Sequence, residues 1–154
     1  MSAAETLARD LQTVLEGGAW HGPALLELLA DVDARQASAR PVRGGHSIAE
    51  LAAHATAWLE IPARRAAGAA WHDATAAEDW PPVPEVLDEA SWASLRQCLA
   101  QAGQALVRQI ASSADADLAR AVGGTDYDVR FMLSGAVSHV VYHAGQVALL
   151  KRGL

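Results

Sequence analysis

Apolar residues recur along this chain at spacings of three and four, and nowhere in the alternating pattern that a half-buried strand requires, so the sequence predicts an all-helical protein. Leu7, Leu11, Val14 and Leu15 make a first stripe that breaks at Gly17-Gly18. Trp20-His21-Gly22-Pro23 restarts it, with proline suited to a first helical turn that does not need its missing N–H. Leu25, Leu26, Leu28, Leu29 and Val32 then supply an apolar face, and Arg40 to His46 reads as a turn. Ser47-Ile-Ala-Glu50 has the spacing of a capping box and opens a second main helix running to about Ala67, with Pro62 as a kink position. Residues 68–88 hold Trp71, His72, Trp80 and three prolines. So long a connection is expected to be functional or mobile and to cover one end of the helices. A third helix from about Glu89 places Trp92, Leu95, Leu99, Ala102, Leu106 and Ile110 on one face. After Gly123-Gly124 a last helix, capped by Asp126 or Asp128, runs to the end of the chain. No repeat or low-complexity linker interrupts the pattern, so residues 1–154 read as one domain: a four-helix bundle with a short extra N-terminal helical segment.

Half the residues are apolar and 19% are charged, enough to build a core at this length. The net charge of -6, with Lys151 the only lysine and arginines scattered apart from Arg64-Arg65, argues against nucleic acid or an anionic membrane as partner. A lone cysteine, Cys98, rules out an intramolecular disulfide, and as a helical thiol far in sequence from any histidine it is expected to be inert. The first ten residues lack the basic start and apolar core of a signal peptide, so the cytoplasm is the expected location. Residues 131–150 are about the ~20 residues a membrane span needs. Ser134, Ser138, His139, His143 and Gln146 within them are costly in lipid and natural inside a bundle.

The chemistry begins with His139 and His143, four apart in a charge-free run, which a helix projects from one face. Neutral imidazole is the commonest metal-binding side chain, but a pair at this spacing arises readily by chance and needs a third ligand. His54, on the apolar stripe of Leu51, His54 and Trp58, supplies one from a second helix. Three nitrogens would leave coordination positions open for water or substrate, as in catalytic metal sites. The competing reading is three partly buried histidines hydrogen-bonded to their neighbours. Val140 stands where a zinc protease of the His-Glu-x-x-His type would carry its glutamate, which excludes that class. Glu50, one turn before His54, is a candidate base, although its capping position accounts for it. Gln146 is a candidate substrate contact or a packing hydrogen bond. Trp58 is a candidate pocket wall or core aromatic, and His46 is a turn residue. His21, near the pocket mouth, and His72, in the long loop, read as structural or surface groups. Tyr142 points about a quarter turn from the histidine face and is left outside the site. Gly145 inside the last helix suggests close packing, within the bundle or across a dimer.

Taken together, Trp20-His-Gly-Pro23, Gly45-His-Ser-Ile-Ala-Glu-Leu51 through His54, and Tyr142-His-Ala-Gly-Gln-Val-Ala-Leu-Leu-Lys151 resemble the DinB/YfiT-like metalloenzyme superfamily over nearly the whole chain. The resemblance implies an up-down-down-up bundle, often a homodimer, that holds a divalent ion with one histidine of the second helix and two of the fourth. Those positions match His54, His139 and His143. It also implies, for some relatives, S-transfer from bacillithiol, mycothiol or a related low-molecular-weight thiol. Nitrogen-only ligation suits zinc or nickel first, with iron, manganese or copper as alternatives. Two functions follow as expectations. One is a metal-dependent enzyme, a thiol S-transferase or hydrolase acting on a small molecule that enters beside residues 68–88. The other is a non-catalytic dimeric bundle with a structural or vestigial histidine site.

Overall fold

A computed structural model describes Met1–Leu154 as eight helices and no strand; Ala121 and Asp128 form one isolated antiparallel bridge. The order is α1 (Ala3–Glu16), α2 (Leu25–Leu29), α3 (Ala34–Ser38), α4 (Ile48–Ala66), α5 (Ala76–Asp79), α6 (Glu89–Ala111), α7 (Asp115–Leu118) and α8 (Val129–Lys151). The four long helices α1, α6, α4 and α8 close a ring in that order, each packed on its two neighbours.

Hydrogen bonds fix their directions. The amides of Ala3 and Ala4 donate to Asp115, just beyond α6, so α1 begins where α6 ends. Gln109 and Arg120 donate to the carbonyls of Ala63 and Ala66, so α4 and α6 end together, and the Val129 amide donates to Arg120, which starts α8 at that same end. The bundle is therefore up-down-down-up.

Local chemistry sets the boundaries. Ser2 and Ser47 form reciprocal capping boxes with Glu5 and Glu50, while Asp88 and Asp128 accept from the amides of Ser91 and Phe131; Asp128 rather than Asp126 caps the last helix. Leu11, Leu99 and Leu106 are fully buried, each contributing about 1.5–3 kcal/mol in area removed from water. Trp92 is also fully buried and satisfies its indole by donating to the Val32 carbonyl at 2.6 Å. Gly103 lets α1 and α6 approach, since a Cβ there would stand 2.7 Å from a Leu15 methyl.

The apolar face after Pro23 is carried by two short helices instead of one. Asp33 forms a capping box with Gln36 and so starts α3 afresh, which breaks the run between Leu29 and Ala34. Leu95 and Ala102 are only partly buried on α6, and Cys98 is exposed. Residues 68–88 do not cap an end of the bundle. Because α4 and α6 run parallel, their connection must return along the length of the bundle. It packs α5 against α4 on the way. No helix is long and apolar enough to cross a membrane, and this includes α8.

Candidate metal centre

α4 and α8 pack antiparallel, and that places their histidines level. His54 is buried two turns into α4, His143 is buried on α8, and His139, one turn before it, is half-buried. The Nε2 atom of His139 lies 3.1 Å from Nε2 of His54 and 3.0 Å from Nε2 of His143. Ligand atoms from all three residues fall within 4.8 Å of one another.

The outer ring nitrogens decide what the inner ones offer. Nδ1 of His54 donates to the Asp79 carbonyl at 2.5 Å, and Nδ1 of His143 donates to Oε1 of Gln146 at 2.6 Å. Each Nε2 is thereby left with a lone pair aimed at His139. Such hydrogen bonds to ligand imidazoles fix ring orientation and tautomer. Burial and the neighbouring His143 and His54 rings push the His139 pKa down to about 4, and burial lowers that of His143 against the opposing hydrogen bond of Gln146. Both rings are neutral at pH 7, the form that binds metal. Nitrogens about 2.0–2.1 Å from a tetrahedral ion stand roughly 3.3 Å apart, so the observed spacing needs little adjustment to take one. The donor set fits a divalent ion.

The triad lies in an open cavity of about 450 Å³. Val42, Leu51, Trp80, Tyr142, Leu149 and Leu150 give it apolar walls, and no carboxylate, lysine or arginine lines it. Trp80 is sandwiched between two imidazoles: its ring stacks on His46 at 3.5 Å and on His54 at 3.9 Å. Asp79, the residue before it, accepts from the Trp58 indole at 2.7 Å while its carbonyl holds His54.

The remaining candidates take definite places. Glu50 lies outside the cavity. Burial would raise its pKa, but the Ser47 amide and Arg40 outweigh that and hold it below the usual carboxylate range. Its carboxylate is consumed by the α4 cap and the Arg40 ion pair. Gln146 both lines the cavity and orients His143. Trp58 packs beside His54 and His139, 6.4 and 5.8 Å between ring centres. His21 lies in a different groove, with Val141, Gly145 and Lys151; His72 is exposed beside Glu78; Cys98 sits on the outer face of α6. A Cβ on Gly145 would meet nothing, so packing within the bundle does not explain that glycine.

Sequence reasoning missed four residues here. Tyr142, set aside for its angle, reaches the cavity because the cavity opens on that flank of α8, and its ring centre is 5.1 Å from that of His143. His46, read as a turn residue, is a wall. Asp79 and Trp80 come from a segment without periodicity. The available signal was an indole isolated among prolines, one residue beyond a short helix capped by Thr75.

No curated protein and no solved structure matches the chain. Residues 19–147 match a family described as the DinB superfamily.

Proposed function

The chain belongs to the DinB superfamily, and from that premise we propose that it is a metal-dependent enzyme that joins a small thiol to a small, uncharged electrophile. The observation that carries this reading is the convergence of three imidazole Nε2 atoms inside an otherwise apolar cavity open to substrate. His54, His139 and His143 would hold the ion. When bound, it supplies positive charge that favours the ionised form of a thiol or water beside it.

Transfer is favoured over hydrolysis by what the cavity lacks. Water, with a pKa near ~15.7, gains from a general base as well as an ion, whereas a thiol near ~8.5 ionises readily and is intrinsically nucleophilic. No carboxylate faces the cavity, and Glu50 is held by the cap and Arg40. Gln146 fixes His143 and can present its amide N–H groups to a substrate oxygen; Val42, Leu51 and Leu149 exclude water from the apolar part of the electrophile. With no cation in the lining, a heavily carboxylated thiol would gain no counter-charge inside the cavity, so its acidic portion would project to solvent.

Elemental mass spectrometry on protein purified without a histidine tag tests the premise. About one zinc or nickel per chain, lost in His143→Ala, is the expected result. The loaded protein should then consume a thiol in the presence of a neutral epoxide or haloaromatic compound. Absence of metal after incubation with zinc, nickel and manganese would leave a structural histidine cluster, and thiol-independent hydrolysis would assign the hydrolase reading.

A further inference from the structure

His46 is the one cavity histidine outside the triad, and so far it has only been a wall. Its ring lies flat on Trp80, with 9° between the planes, and Trp80 lies on His54 in turn, with 14° between them. The indole thus has the triad on one face and His46 on the other. Nδ1 of His46 stands 3.5 Å from Oε2 of Glu50. The Ser47 amide donates to that same oxygen at 2.7 Å and Arg40 holds the other, so the carboxylate is fixed behind the ring. Nε2 of His46 makes no hydrogen bond within the protein and is open to solvent, since Nε of Arg96 is the only buried side-chain polar atom left without a partner.

This is the layout of a general acid. When the ring is protonated both nitrogens donate: Nδ1 faces Glu50, whose charge answers the imidazolium from behind the wall, and Nε2 is left for an oxygen in the cavity. Thiol transfer to an epoxide calls for such a group. As the S–C bond forms and the C–O bond breaks, the electron pair of the broken bond stays on oxygen, which then takes a proton. Sulfur attacks from the side opposite the departing oxygen, so the acid must stand away from the triad. Tyr142 is on the sulfur side, its ring centre 5.1 Å from that of His143, and Gln146 is bound to His143. His46, across the indole, is on the oxygen side.

Resting on the thiol-transfer reading, we propose that His46 is the catalytic acid and that the electrophile is an epoxide. The substrate lies along the edge of Trp80, its attacked carbon toward the triad and its oxygen toward Nε2 of His46. The thiol gives its proton to solvent as it ionises, Nε2 of His46 gives its proton to the new alkoxide, and the ring takes one back from solvent. The sum is thiol plus epoxide to hydroxy thioether. Glu50 acts only through His46 and is a positioning residue. A haloaromatic compound makes no use of this acid, because the departing halide keeps its electron pair and needs no proton.

That difference supplies the test. His46→Phe keeps a ring to stack on Trp80 and removes both nitrogens. Rates of the metal-loaded protein are measured with one thiol and two electrophiles, a neutral epoxide and a neutral haloaromatic compound, with metal content and helicity followed in parallel. Damage to the wall lowers both rates alike, whereas loss of an acid lowers their ratio. The ratio of epoxide to haloaromatic rate should fall about 100-fold in His46→Phe, the lower end of what a general acid contributes. Glu50→Gln, which can still accept from the Ser47 amide but carries no charge, should lower the same ratio by less. An unchanged ratio in His46→Phe, or wild-type protein that accepts the haloaromatic compound alone, would overturn the acid role and leave the thiol-transfer reading standing. Wild-type protein that carries metal and turns over neither compound would overturn that reading, and the acid role with it.

Discussion

α1 and α8 lie side by side, run the same way and are built on opposite plans. α1 turns Leu7, Leu11, Val14 and Leu15 inward and charged residues outward, so each position answers to one environment. α8 buries Leu133, Val140, Val147 and Leu150 on one side, carries His139 and His143 on its flank, and leaves Phe131, Tyr142 and Leu149 exposed on the side away from the core. A helix apolar on nearly every face has more than one surface to cover. Amphipathicity therefore identifies the helix that only packs, and its loss identifies the helix with a further surface to cover.

Matched substitutions sharpen the contrast. His143→Ala in α8 should abolish stoichiometric metal, as measured by elemental analysis, with little loss of helicity. Leu11→Ala in α1 should do the reverse, lowering unfolding free energy by about 2–5 kcal/mol in denaturant titrations while the folded fraction keeps its metal. A metal content that fell equally in both variants would break the comparison.

Gln146→Ala comes next. Removing the acceptor for Nδ1 of His143 frees the ring to change tautomer and rotate, and should weaken metal affinity about 10–100-fold in competition titrations with a chromogenic chelator. Ser47→Ala is smaller. It removes the side-chain acceptor for the Glu50 amide at the start of α4 and should cost about 0.5–2 kcal/mol in thermal or denaturant unfolding. Ser2→Ala, in the exposed cap of α1, should fall at the low end of that range.

The mildest test is pH. His139 titrates near 4 in the folded chain and near 6.5 when unfolded, so the unfolded state takes up its proton first. Stability of the metal-free protein should be level above about pH 6.5 and fall as pH drops from there toward 4. The Asp115 clamp on α1 acts in the same direction at lower pH. The Ala4 and Ala3 amides depress its carboxyl below 3.8, so its contribution persists above that value and is lost only at lower pH. Thermal melts across pH 3–7 should show these as two successive declines, the first reduced in His139→Gln.

How much of this was legible from residues follows the same division. α1, α4 and α6 announce themselves by periodicity, although α1, expected as a short extra segment, is a 14-residue helix of the bundle itself, and Ser47-Ile-Ala-Glu50 marks the start of α4 where the structure has it. His54 could be joined to His139 and His143 because an apolar stripe limits where an inward histidine can point. Asp79, Trp80 and His46 could not be joined to them, since contacts made by a connection depend on where α6 must begin and not on any repeat in the connection itself. The restart at Asp33 was hidden for another reason: the leucine run on both sides of Ala30 satisfies helical spacing, and a single cap overrides it.

The course of residues 68–88 has a thermodynamic consequence. His54 presents Nε2 to the triad while its Nδ1 is held by the Asp79 carbonyl, so an ion that selects this orientation also selects the state in which the connection is seated on α4. Linkage is reciprocal: whatever free energy the seated segment lends to metal affinity, metal binding returns as resistance of that segment to opening. Cleavage between Gly68 and Thr75 by a protease would thus become a gauge of site occupancy, slowing as the metal concentration rises past its dissociation constant.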